Sequence, residues 1–191
     1  MPTFLTLTGG SAADEAGRGA LDGPPHLILV GISGAGKSSA GRAAAAILGR
    51  PFLDLDAEIE RREHATVGDL FASRGEPWFR DQERGLTEEL SKEHGFLLSP
   101  GGGWVANPGC VELLCPPASR IYLKVRPEAA LARMAGDVTS RPLLQRPNPL
   151  AELQRILAAR EPLYLQSNHT VSTELMSFDQ VVQRIVALAG G

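Results

Sequence analysis

Residues 27–42 read LILVGISGAGKSSAGR. Leu27 to Val30 form an unbroken apolar run, the pattern of a short strand covered on both faces. The next residues, Gly31 to Ser38, carry the spacing G-x-x-x-x-G-K-S and open into the Ala-rich stretch KSSAGRAAAAILG, which reads as a helix. A glycine-rich turn between a strand and a helix N-terminus lets successive backbone N–H groups face one phosphate chain, and the helix dipole favours the negative charge. Gly34, Ala35, Gly36, Lys37, Ser38 and Ser39 are therefore the candidate nucleotide-binding residues. Lys37 supplies a point charge for the β- and γ-phosphates and is a candidate catalytic residue, and the Ser38 hydroxyl is a candidate ligand for Mg²⁺, which prefers oxygen donors.

Outward from this loop, apolar runs alternate with amphipathic segments: PFLDLD, GFLLS, RIYLKV and HTVST are each followed by a helical stretch. Strand–helix alternation predicts a mostly parallel central sheet with helices on both faces, a three-layer α/β/α domain. Residues 1–25 mix Gly, Ala, Pro and scattered charges without a sustained period and read as a flexible tail, leaving residues 26–191 as one domain.

The run PFLDLD ends in Asp54 and Asp56. Residues two apart in a strand share a side, so both carboxylates are expected at the carboxyl end of the strand, facing the crevice where open α/β sheets bind ligands. A Mg²⁺ ion and a hydroxylated substrate would relieve their repulsion, with Asp54 on the metal side and Asp56 accepting from, and deprotonating, an attacking hydroxyl. The bland alternative is that Asp56 merely caps the helix beginning AEIERRE.

Three consecutive glycines, Gly101, Gly102 and Gly103, follow the strand GFLLS, a stretch that lets a ligand lie against bare backbone. Ser99 at the strand end is placed to reach the metal's water shell. In TVGDLFASRGEPWFRDQERGLTEEL, a helix broken at Gly75-Glu76-Pro77, Arg80 and Glu83 stand three apart and can pair. A pinned guanidinium suits a carboxylate ligand, whereas an exposed pair would carry little energy. Phe71 and Phe79 fit either a pocket wall or the core. The polar stretch RMAGDVTSRPLLQRPNP, with Arg133, Arg141 and Arg146, reads as a lid over the transferring phosphate. Arg160 precedes a proline expected to perturb or close its helix and is a second candidate anion-binding arginine.

The 191 residues are 43% hydrophobic and 21% charged with a net charge of −3, which gives no basic surface for nucleic acid. No apolar run approaches a membrane span and no secretory leader is evident, so a cytoplasmic enzyme is expected. Cys110 and Cys115 are the only cysteines, and their spacing gives no metal or redox motif. No base-reading NKxD segment of the GTPase type is present, which favours a small-molecule kinase.

GISGAGKSSAGR, FLDLDAEIE, GEPWFRDQE, PGGGW, SRPLL and REPLY, in that order over about residues 27 to 188, resemble the shikimate kinase family. The resemblance implies a fold like that of the nucleoside monophosphate kinases, with a substrate-binding region and a lid. It implies phosphorylation of the 3-hydroxyl of shikimate by ATP with Mg²⁺ in aromatic amino-acid biosynthesis; a monomer is expected separately, because the sequence offers no obvious association surface. Lys37 and Ser38 would take the nucleotide and Mg²⁺, Asp54 the metal's outer shell, and Asp56 the substrate hydroxyls. Arg80 and Arg160 would grip the substrate carboxylate and Gly101 to Gly103 would line its pocket. Arg141 would be a catalytic lid arginine near the phosphates, and Arg133, beside Met134, an adenine contact. The competing readings are another small-molecule kinase, such as a gluconate kinase, and a catalytically silent ligand-sensing domain.

Overall fold

In a computed structural model of the chain, residues 23–135 and 147–190 are described. Five strands form one sheet in the order β2-β3-β1-β4-β5: β1 (Leu27–Val30), β2 (Phe52–Asp54), β3 (Leu97–Ser99), β4 (Ser119–Lys124) and β5 (His169–Ser172). All pairings are parallel. The central strand β1 is at most 2% exposed at every residue, as a strand with helices on both sides must be. Each strand predicted from an apolar run is present.

The helices are α1 (Lys37–Leu48), α2 (Leu55–Glu63), α3 (Val67–Leu90), α4 (Cys110–Leu114), α5 (Pro127–Met134), α6 (Pro149–Tyr164) and α7 (Phe178–Leu188). A short 3₁₀ turn covers Trp104–Ala106. Small residues let α1 sit close to the sheet, with Ala40, Ala44 and Ala45 buried, and α7 packs beside it. Gly75 interrupts α3 with φ 82°, ψ 166°, so the predicted break is real although helical residues resume at once. Of the two effects expected of Pro162, perturbing α6 or closing it, closure does not occur: the helix runs through the proline to Tyr164.

The chain leaves β1 toward β2 on one side and later crosses to β4 on the other, so the order of strands reverses around β1. Loops at the carboxyl ends of the strands beside such a reversal splay apart and leave a crevice. Among the described residues no helix is long and apolar enough to cross a membrane. The proposed tail lies almost wholly outside the described residues, and the stretch read as a lid lies outside them over residues 136–146, Arg141 and Arg146 included.

Candidate active site

A cleft of about 450 Å³ opens at the carboxyl ends of β1, β2 and β3. Its floor is the loop after β1, where Gly34 and Gly36 hold φ of 81° and 91°, a region that side chains other than glycine rarely adopt. Gly36 is the residue before α1, so Lys37 and Ser38 are the first two residues of that helix. Lys37 is largely buried; its Nζ donates to the carbonyls of Gly31 at 2.9 Å and Ile32 at 3.3 Å, which holds the ammonium against the loop. Gly34, Gly36, Lys37, Ser38 and Ser39 all line the cleft. Ala35 instead is buried and faces a neighbouring cavity.

Strand pairing brings the acids to this loop. The β2–β3 register sets Asp54 beside Ser99, and the Ser38 hydroxyl donates to Asp54 Oδ2 and lies 3.3 Å from Ser99 Oγ. Asp54, not Asp56, caps α2, its Oδ1 accepting from the Ala57 N–H at 3.2 Å. The two aspartates are therefore not alternate residues of one strand. β2 ends at Asp54, and Asp56 lies in the first turn of α2, which leaves the Asp56 carboxylate free of the capping role. Both still line the same cleft.

Asp56 is half-buried, but its Oδ1 is shielded from solvent and has no hydrogen-bond partner. Burial pushes its carboxyl up to about 7, reinforced by the charges of Asp54 and Glu83 and opposed by Lys37 and Arg80. A carboxyl poised near neutrality and aimed into a cleft suits proton transfer.

The glycine triplet forms the opposite wall. A Cβ on Gly101 would lie 2.6 Å from Asp56 Oδ1, and one on Gly103 would overlap Arg80 Nη2. Bare backbone is what allows Asp56 and Arg80 to lie against this loop. Gly101 and Gly102 line the cleft and Gly103, Arg80 and Arg160 do not, although Arg80 lies against Gly103 and Arg160 Nη1 is 3.6 Å from where a Cβ on Gly102 would be.

Arg80 is held on both sides. Its Nη1 donates to Glu83 Oε2 at 2.9 Å, and its Nη2 and Nε donate to Glu76 Oε1 at 3.0 and 3.3 Å. The Glu83 side chain has no solvent exposure, against 61% for Glu76, so the Arg80–Glu83 pair is no ordinary surface ion pair. Burial pushes the Glu83 carboxyl up and the Arg80 charge pulls it back down. Asn107, which no sequence motif marks, donates from Nδ2 to Glu83 Oε2 at 3.0 Å and to the Arg80 carbonyl at 2.8 Å. Its one signal in the sequence is a polar residue four positions after the triplet. Phe71 and Phe79 stack on each other with ring centroids 4.8 Å apart, Phe79 within the core, and do not line the cleft.

Arg133 lines the first cleft and an adjoining cavity of about 210 Å³ that shares Gly36 and Ser39 with it. Its guanidinium is fixed by donation to Thr173 Oγ1 at 2.8 Å and to the Thr173 carbonyl at 2.9 Å. Met176 and Phe178 supply apolar walls to this second cavity.

Of the residues expected at the site, the cleft thus unites Gly34, Gly36, Lys37, Ser38, Ser39, Asp54, Asp56, Ser99, Gly101, Gly102 and Arg133. Arg80, Gly103 and Arg160 do not line it, but the two arginines adjoin the glycine triplet whose first two residues do. Arg141 lies outside the described residues.

A protein-family model described as shikimate kinase matches residues 33–189. A shikimate kinase of Thioalkalivibrio sulfidiphilus is 42% identical over 161 residues, 84% of each chain. The solved structure of shikimate kinase from Acinetobacter baumannii in complex with shikimate superposes with a TM-score of 0.81 at 37% identity, covering 86% of this chain and 92% of that one. A gluconokinase from Sinorhizobium meliloti shares the fold, with a TM-score of 0.58 at 20% identity over 87% of this chain and 92% of that one.

Proposed function

This chain belongs to the shikimate kinase family, and we propose that its cleft carries out that family's reaction, phosphoryl transfer from ATP to the 3-hydroxyl of shikimate. The observation that carries this reading is the single cleft running from Lys37 and Ser38 past Asp54 and Asp56 to Gly101 and Gly102. Such a cleft sets a triphosphate and a hydroxylated acceptor end to end, which is most of what phosphoryl transfer requires of a protein.

In this account the 3-hydroxyl oxygen attacks the γ-phosphorus, the bond from that phosphorus to the β–γ bridging oxygen breaks, and the hydroxyl proton passes to Asp56. ADP and shikimate 3-phosphate result. Lys37 offsets the charge that builds on the phosphate oxygens. Arg80, held by Glu83, and Arg160 beside Gly102 bind the substrate carboxylate on the far side of the ring. Arg141 is proposed as the arginine that reaches the phosphates from the lid. The cavity next to Arg133, with apolar walls from Met176 and Phe178, would hold the adenine.

The donor set suits Mg²⁺. Ser38, Asp54 and Ser99 present hard oxygens within one hydrogen-bonded group, and no cluster of three or more His, Cys, Asp or Glu among the described residues could hold a metal alone. That pattern fits a cation that takes most of its ligands from phosphate and water. When bound there, Mg²⁺ supplies neutralisation of the phosphate oxygens. The free thiols of Cys110 and Cys115 suit a reducing compartment, and the form proposed is a cytoplasmic monomer.

Product analysis tests the reaction assigned. Proton–phosphorus correlation in the NMR spectrum of the product should place the new phosphate on the 3-position of shikimate. Phosphate at another hydroxyl would contradict the pose in which Arg80 and Arg160 hold the carboxylate.

A further inference from the structure

Tyr164 closes the REPLY stretch at the last residue of α6, one turn after Arg160, and it has no solvent exposure. Its hydroxyl donates to the Gly102 carbonyl at 2.5 Å; a carbonyl can only accept, so the direction of the bond is fixed. Gly102 lines the cleft, and a Cβ there would meet the Tyr164 oxygen at 3.4 Å and Arg160 Nη1 at 3.6 Å. The Tyr164 ring stacks on Tyr122 of β4 with centroids 5.2 Å apart and planes 24° apart. A second link runs between the same elements, because Glu161 accepts from Lys124 Nζ at 2.9 Å.

One side chain therefore joins three elements: the sheet through its ring, α6 through its backbone, and the glycine loop through its hydroxyl. Burial pushes the phenol up to about 12 against the pull of the Arg160 charge, so it stays a donor throughout the neutral range. Core packing alone explains the ring, since a phenylalanine would stack on Tyr122 equally well. It does not explain a hydroxyl aimed at the carbonyl of a loop that faces substrate.

We propose that Tyr164 is a positioning residue for substrate recognition: its hydroxyl fixes the separation between the glycine loop and the Arg160 guanidinium, and so sets the carboxylate half of the acceptor pocket. This rests on the functional reading above. Arg160 meets a group remote from the reacting hydroxyl, so loosening it weakens ground-state and transition-state binding alike, which raises KM and leaves kcat.

The test is steady-state kinetics of Tyr164→Phe, which keeps the ring and removes only the hydroxyl, with Tyr122→Phe as the comparison. Tyr164→Phe should raise the KM for shikimate about tenfold, leave kcat within about twofold and leave the KM for ATP unchanged. It should also narrow the preference for shikimate over its methyl ester, which lacks the charged carboxylate. Tyr122→Phe, whose hydroxyl lies 3.4 Å from Glu161 Oε1 and away from the loop, should match the parent on all four measures. A wild-type KM for shikimate in Tyr164→Phe overturns the proposal, whatever its melting temperature. So does a parallel rise in both substrates' KM, which would mean general distortion. If the parent chain turns over no shikimate at all, the functional reading fails and takes this proposal with it.

Discussion

Arg80 Nη1 and Glu83 Oε2 are 2.9 Å apart on successive turns of α3, and the Glu83 side chain is wholly buried. Breaking a buried pair leaves an uncompensated charge, whereas an exposed pair contributes little. Glu76 holds the other edge of the same guanidinium from an exposed position. Glu83→Gln should therefore raise the KM for shikimate about tenfold with little change in kcat. Glu76→Gln should hold or lower that KM, by no more than about threefold, because it removes a carboxylate competing for Arg80. Equal increases in the two variants would show that Glu83 has no special hold on Arg80.

Gly101→Ala should lower kcat by about a hundredfold, since its Cβ would occupy space 2.6 Å from Asp56 Oδ1 and displace the proposed base. Gly85 gives the contrast, lying in the interior of α3 with nothing within 4 Å of where a Cβ would stand. Gly85→Ala should keep full activity and add about 1 kcal/mol of stability. Turnover in Gly101→Ala equal to that in Gly85→Ala would remove the steric argument for the triplet.

The Asp56 carboxyl, raised to about 7 by burial, must lose its proton to accept one. The value of kcat/KM for shikimate should therefore climb with pH through an acidic limb near 7, since this ratio reports the free enzyme. Asp56→Asn should abolish that limb and leave a rate reduced by about 10²–10⁴. Persistence of the limb in the variant would assign it to another group.

His26 offers a stability prediction away from the cleft. Its Nε2 donates to the Leu90 carbonyl at 2.9 Å and its Nδ1 accepts from the Phe96 N–H at 3.2 Å, so the ring is neutral where it joins β1 to the end of α3 and the start of β3. Burial lowers its proton affinity below the ordinary value of 6.5. A depressed folded-state value means that its contribution is complete above 6.5 and is lost as pH falls through the lower folded value. In urea titrations His26→Gln should be less stable than the parent by about 1–2 kcal/mol at about pH 8, and the gap should close toward about pH 5. A gap that stays constant over that range would contradict the assignment.

Most of the fold was legible because its signals are local. The apolar run Leu27–Val30 and the glycine spacing after it define strand, loop and helix without help from elsewhere. The site was legible where residue chemistry is unusual in sequence, as with Asp54, Asp56 and the glycine triplet. What stayed hidden depends on contacts between distant segments. Asp54 rather than Asp56 takes the capping bond because β2 ends two residues earlier than the run PFLDLD implies. The burial that separates the Arg80–Glu83 pair from a surface pair comes from the packing around α3 and from Asn107, which no helical spacing reveals. Pro162 failed to end α6 because the helix is anchored beyond it, by Tyr164 on Gly102 and Tyr122.

If one cleft holds ATP end-on to shikimate, ADP release measured with shikimate, quinate and gluconate offered separately should depend on shikimate, with little turnover of the other two acceptors. Rapid ADP release with gluconate and none with shikimate would contradict that arrangement.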